Sequence, residues 1–170
     1  MIVVAAALSS WPVDQEAAVG VREALRGAYL EAVVTIDRDD HRLLLEPRAD
    51  GGVEGPFPDA VDVVHVITAC NPRSQRLSAA VNAARQQRLR AVTTTLQLAW
   101  TTTALAQAPD GSWPEESLAI ADADEDAVLE LARRFEQHAI YAWTPDERAV
   151  VWTDSGQRDP TGWRCTVRPH

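Results

Sequence analysis

Within one short stretch, Thr68 to Ala91, the chain gathers Asn71, Ser74, Asn82 and Arg85. Amides, a hydroxyl and a guanidinium hold polar groups and bind anions; they do not attack carbon. The stretch leaves an apolar run, turns at Asn71-Pro72 and enters a helix. Proline restricts the residue before it to extended backbone, so Asn71 is expected to end a strand in that conformation. Crevices at strand ends collect ligands, and helix starts expose amide donors. Ser74 and Ser78 add hydroxyls there, although Ser78 is also a ready helix cap.

Arg85 is the anomaly of that helix. At about 100° per residue, Val81, Val92 and Leu96 share one side, flanked by Ala84 and Leu89. Arg85 projects into this apolar side with Arg88 nearby, while Ala83, Gln86, Gln87, Arg90 and Thr94 fall opposite. An unpaired guanidinium in a core costs several kcal/mol or more, so on the order of a whole stabilising interaction must offset it. Three solutions stay open: Arg85 snorkels to water, pairs with an internal carboxylate (Glu116 or Glu115), or lines a pocket and holds a ligand carboxylate or phosphate.

The elements that would position these groups follow from periodicity. Pro12 after Ser9 and Ser10 marks a helix start, and Val13, Ala17, Val21, Ala24, Leu25 and Ala28 continue it to about Tyr29. Ala32–Ile36 and Arg42–Glu46 flank the polar Asp37–His41 turn as a hairpin. Ala49–Asp59 reads as a surface loop. Val61–Ala69, nearly continuous in valine and isoleucine, suits a central strand covered on both faces, with His65 as a core histidine. Helix Ser78–Leu96, strands Trp100–Ala106 and Ser117–Ala121, a helix capped by Asp124, the hairpin strands Ala139–Thr144 and Arg148–Thr153, and strand Trp163–Val167 complete the order. Helices do not alternate with strands, so the expected class is α+β: one domain over 1–170, with a mixed or mostly antiparallel sheet and about three helices.

The composition narrows the functions. The 170 residues carry a formal net charge of −9, and every basic side chain apart from histidine is arginine. That balance argues against broad nucleic-acid binding, which needs a basic surface. No run approaches the ~20 apolar residues of a membrane span. The opening MIVVAAALSSW has an apolar core of about seven residues without a preceding positive charge, and reads as a buried strand or packed tail. Cys70 and Cys165 do not make a secreted scaffold, so a reducing cytoplasm is the expected compartment. No glycine-rich phosphate loop, cofactor motif or zinc-spaced cysteine–histidine set is present, so no cofactor or metal is expected, and oligomeric state stays open.

The chain resembles a bacterial family catalogued as domain of unknown function 3293. The resemblance rests on Thr68-Ala69-Cys70-Asn71-Pro72-Arg73-Ser74, Leu77-Ser78, Asn82, Arg85 and Leu89, then Pro109-Asp110-Gly111, Trp113 and Glu115–Leu118, then Arg134–Ile140. It spans about Ala24 to Trp143 and leaves 144–170 as a C-terminal hairpin and strand extension. Cys70 stands where the family pattern looks aromatic, and Glu136 where it often looks like glycine, so the backbone before Gln137 is expected to differ. The resemblance implies that Asn71, Asn82, Arg85, Glu116 and Gln137 form one constellation.

Three functional expectations follow. The first is a binding module whose pocket takes a small anionic metabolite or a partner's carboxylate, with Asn71, Ser74, Asn82, Arg85 and Gln137 as ligand-binding residues. The second is an enzyme on a small polar or nucleotide-like substrate, with Glu116 as general acid or base. A purely structural cluster, with function in a protein interface, is the third.

Overall fold

The computed structural model describes the backbone of residues 15–170 and the side chains from Gly20 onward. The apolar opening run and the helix start at Ser9–Pro12 lie outside the described residues. Helix α1 (Gln15–Glu31) leads into strands β1 (Val33–Asp37), β2 (His41–Arg48), β3 (Val53–Glu54) and β4 (Val64–Thr68). A short 3-10 turn (Pro72–Ser74) precedes α2 (Ala79–Thr93), followed by β5 (Trp100–Gln107), β6 (Glu115–Ala121), α3 (Glu125–Arg134), β7 (Ala139–Trp143), β8 (Arg148–Trp152) and β9 (Arg158–Pro169).

The strands run β2-β1-β5-β6-β4-β7-β8-β9, every neighbour antiparallel, and β9 pairs again with β2. Eight strands therefore close on themselves, and short β3 adds to β9 in parallel. The class is α+β with a mostly antiparallel sheet and, among the described residues, three α-helices, as the element order implies. Closure has no local signal. It depends on β9 being far longer than its apolar run, Trp163–Val167: Arg158–Thr161 pair with β8, and Gly162–Pro169 pair with β2. The loop at Ala49–Asp59 is drawn into the seam, because the Gly52 carbonyl accepts from the Trp163 amide at 2.9 Å.

Two apolar layers explain the strand patterns. Inward residues such as Val34, Leu45, Val66, Trp143, Trp152 and Trp163 fill the barrel, with Leu25 and Tyr29 of α1 packed against them. Outward residues of β4, β6, β7 and β8 meet α2 and α3. Strands with both faces covered lose the polar alternation, which is why Ala139–Trp143 and Arg148–Trp152 are buried throughout. β4 obeys the same rule at the centre of the order. Its buried His65 turns outward and meets the first residue of α3, with Nε2 3.3 Å from Glu125 Oε2. The late tryptophans are core: the Trp143 and Trp163 rings meet edge to face at 5.4 Å.

α2 departs from its helical wheel. Gln86, Leu89 and Thr93 face the sheet, whereas Val81 is 47% exposed. The helix is only weakly amphipathic, so a specific hydrogen bond decides its rotation: Gln86 Oε1 accepts from the Ala69 amide at 2.9 Å, where β4 has run out of strand partners.

The seam tests the closure. A Cβ on Gly162 would lie 2.1 Å from the Gly52 carbonyl oxygen, with backbone and not a yielding side chain in the way. Gly162→Ala should therefore destabilise the protein by about 1–3 kcal/mol. Gly27→Ala, in the open face of α1, should stabilise it by roughly 0.4–1 kcal/mol. Urea midpoints for the two variants should move in opposite directions.

Candidate functional site

At the end of β4 the chain turns through an unusual backbone. Asn71 is left-handed (φ 44°, ψ 57°), and Arg73 and Ser74 follow at φ 53° and 56°. The extended conformation expected before Pro72 is thus overturned. Side-chain hydrogen bonds hold the turn instead: Asn82 Nδ2 donates to Asn71 Oδ1 at 2.9 Å, and the Asn71 amide donates to Asn82 Oδ1 at 3.0 Å. Asn71 Oδ1 also accepts from the Leu77 amide at 3.0 Å. Asparagine tolerates the left-handed region better than most residues, and this reciprocal pair over-determines it.

The turn aims Asn71 Nδ2 at Glu115, 2.7 Å from Oε1. Trp113 Nε1 donates to the same oxygen at 3.1 Å, so both donors share Oε1 and Oε2 receives none among the described residues. Glu115 lines a cavity of about 510 Å³ at one end of the barrel, together with Tyr29 and Glu31 of α1, Ser74, Gln137 and Tyr141. Burial raises the Glu115 pKa above the ordinary carboxylate value, against the pull of its two hydrogen bonds. Burial also pushes the phenols up, Tyr141 to about 12 and Tyr29 further, so both remain neutral donors.

Gln137 forms the floor. Its Nε2 donates to the Cys70 carbonyl at 2.9 Å and the Phe135 carbonyl at 3.2 Å. Two carbonyl partners fix the amide's orientation, because a flipped Gln137 would set oxygen against oxygen. Its Oε1 is left without a protein donor among the described residues. The residue before it, Glu136, is left-handed at φ 59°. Glycine adopts this region without a Cβ penalty, and here the glutamate adopts it. Of seven non-glycine residues with positive φ among the described residues, Asn71, Arg73, Ser74, Trp113 and Glu136 lie on the segments that wall the cavity. Strain of this kind collects where side chains must be aimed.

The α1 wall is anchored from below. Arg148, fully buried, donates to the carbonyls of Ala32 (2.9 Å), Leu30 (3.3 Å) and Tyr29 (3.4 Å), and its guanidinium carbon lies 4.5 Å from the Tyr141 ring centre. Burial depresses its pKa, offset in part by the neighbouring phenol.

The structure brings Asn71, Ser74 and Gln137 to one cavity. Asn82 stands behind Asn71 as its support. Arg85 does not enter: Nε donates to the Ala69 carbonyl at 2.7 Å and an Nη to the Phe135 carbonyl at 2.6 Å, with Glu136 3.7 Å away. The expected partners Glu116 and Glu115 are therefore incorrect, because loose carbonyls beyond β4 and α3 claim the guanidinium first. Glu116 points to the other side of β6 and pairs with Arg90 at 2.6 Å. Successive strand residues face opposite ways, so placing the acid one residue late moved it from the cavity to the surface. Tyr29 and Tyr141 carry no signal in the sequence reading, and Glu115 enters it only as a possible partner of Arg85; the alternation of β6 back from Ala119 and Ser117 was the available signal for its place in the cavity.

Residues 67–140 match the family described as a protein of unknown function, DUF3293. The DUF3293 match begins well inside the wider resemblance from Ala24, and it holds Asn71, Ser74, Glu115 and Gln137. Tyr29, Tyr141 and Arg148 lie outside it. No curated protein and no solved structure matches the chain. Among the described residues, no three His, Cys, Asp or Glu side chains gather as a metal set, and no helix is long and apolar enough to cross a membrane. Both cysteines are free thiols, and burial raises the Cys70 pKa, the reverse of what a nucleophile needs.

If the amide pair fixes the turn, Asn71→Ala and Asn82→Ala should be non-additive. A double-mutant cycle read by denaturant unfolding should give a coupling of roughly 0.5–3 kcal/mol. Additive losses would mean that the turn holds without the pair.

Proposed function

We propose that the cavity binds a small organic molecule bearing a hydrogen-bond donor or positive charge, which it presents to Glu115. One observation carries this reading: a desolvated carboxyl in the cavity wall whose two protein donors both bind Oε1, with Oε2 left uncapped. Gln137 Oε1 adds an acceptor, Glu31 a second carboxylate, and the Tyr29 ring an aromatic wall. The cavity volume suits a small ligand. The anion expected from Arg85 has no counterpart here, since that guanidinium lies outside the cavity wall.

A panel of aromatic amines, guanidines and quaternary ammonium compounds should raise the melting temperature saturably, by several degrees, while isosteric anions should not. Glu115→Gln keeps the Oε1 acceptor but removes the charge, so it should abolish the shift. The ionised carboxylate is the binding form. Because burial raises its pKa, affinity should climb as pH rises through a value above the ordinary glutamate range and level off beyond it. Unliganded stability should respond oppositely. A raised folded-state pKa contributes stability below the unfolded value and loses it as pH rises through the folded one, so wild type should weaken relative to Glu115→Gln over that window. A silent panel, or an unchanged response in Glu115→Gln, would overturn the reading.

The same raised pKa favours a second reading, in which Glu115 is the general acid or base of an enzyme and Gln137 and Ser74 orient the substrate. Here Glu115→Gln would retain binding and lose turnover.

A further inference from the structure

A second pocket shares no lining residue with the cavity at Glu115. It lies between α2 and α3, has a volume of about 350 Å³, and is lined by Arg85, Arg88 and Arg134, with Ala91, Val92 and Phe135 as its apolar part. Three guanidinium groups share this one concavity.

Several arginines of this acidic chain find carboxylates: Arg48, Arg90, Arg158 and Arg164 pair with Asp or Glu at 3.1 Å or closer. Arg88 and Arg134 make no ion pair or side-chain hydrogen bond among the described residues. Glu136 is the carboxylate that approaches Arg85. It stands 3.7 Å from Arg85, beyond hydrogen-bond distance, and is itself drawn to Arg73 at 2.8 Å. The end of α3 accounts for Arg134 in part, since a cation there complements the helix dipole. It does not account for Arg88, which projects from α2 toward the same space.

Arg85 is already oriented. Its bonds to the Ala69 and Phe135 carbonyls use Nε and one Nη, and leave three of the five N–H groups of a guanidinium uncommitted. A held guanidinium loses little freedom when an anion arrives. Arg88 and Arg134 are exposed and can close onto the bound group.

We propose that this pocket is an oxyanion site for the phosphoryl group of a small organic phosphate. A carboxylate offers two oxygens and one charge. A phosphate monoester offers three oxygens and a charge of about −1.5 to −2 at neutral pH, which matches three forked donors better. The apolar wall of Ala91, Val92 and Phe135 takes the organic part. The site is separate from the cavity at Glu115 and does not depend on what binds there.

Inorganic phosphate, phenyl phosphate and succinate should be titrated into the full chain at constant ionic strength, followed by amide chemical shifts and by calorimetry. Phenyl phosphate should saturate and bind more tightly than inorganic phosphate, with succinate at least about tenfold weaker than either. The double variant Arg88→Gln/Arg134→Gln, both at exposed positions, should keep the wild-type melting temperature and weaken phenyl phosphate by tenfold or more. Arg168→Gln, an exposed arginine on β9, should not change it. A linear, non-saturating titration, or an unchanged affinity in the double variant, overturns the site. Succinate binding as tightly as phenyl phosphate overturns the phosphoryl assignment. An amine panel that is silent while phosphate saturates sinks only the reading of the cavity, and the converse result sinks only this one.

Discussion

The reciprocal amide pair between Asn71 and Asn82 is the constraint on which the candidate site rests. β4 is the central, doubly covered strand, and the chain must leave it at the mouth of the barrel without stranding polar backbone. The pair does this by closing a ring between the turn and α2, two bonds at 2.9 and 3.0 Å. With both positions of its own Oδ1 taken, Asn71 has one free direction for Nδ2, and that direction holds Glu115. Neither asparagine need touch a ligand to matter. They set the angle at which a carboxyl meets the cavity.

The same region shows how loose carbonyls govern polar side chains. Ala69 and Cys70 lie just past the last paired residue of β4, and Phe135 just past the end of α3. Gln86 serves the Ala69 amide, Arg85 the Ala69 and Phe135 carbonyls, and Gln137 the Cys70 and Phe135 carbonyls. A buried unsatisfied backbone group costs about 1–3 kcal/mol, comparable to the desolvation of the side chain that relieves it. This exchange explains why α2 turns a glutamine to the sheet and lets a valine face solvent.

That exchange also marks what was legible in the sequence. The class, the three helices and most strand positions followed from periodicity, because burial against a sheet or helix writes a period into the chain. Ser78 and Asp124 were legible as caps, since each accepts a helix amide, those of Val81 and Ala127. The neighbourhood of Asn71, Ser74 and Gln137 was legible from density of polar groups and from family resemblance. Closure was not, because Gly162 and Gly52 meet across the seam through backbone contacts that no pattern encodes. The choice of Glu115 over Glu116 was lost to a register of one residue on β6. The partner of Arg85 was lost because a carbonyl, unlike a carboxylate, has no letter in the sequence.

Arg148 extends the logic to the far wall. It stands fully buried on β8, so its charge must be met without water. It meets the negative end of α1, where the Tyr29, Leu30 and Ala32 carbonyls have lost their helical partners, and the Tyr141 ring adds its face. Arg148 thereby converts an unfavourable burial into an anchor for the helix that carries Tyr29 and Glu31. The cavity thus has one wall set by a neutral amide pair and the other by a buried cation. The cation acts through backbone carbonyls and the pair through one backbone amide and one side chain, and Glu115 Oε2 and Gln137 Oε1 are acceptors that this bonding leaves open among the described residues.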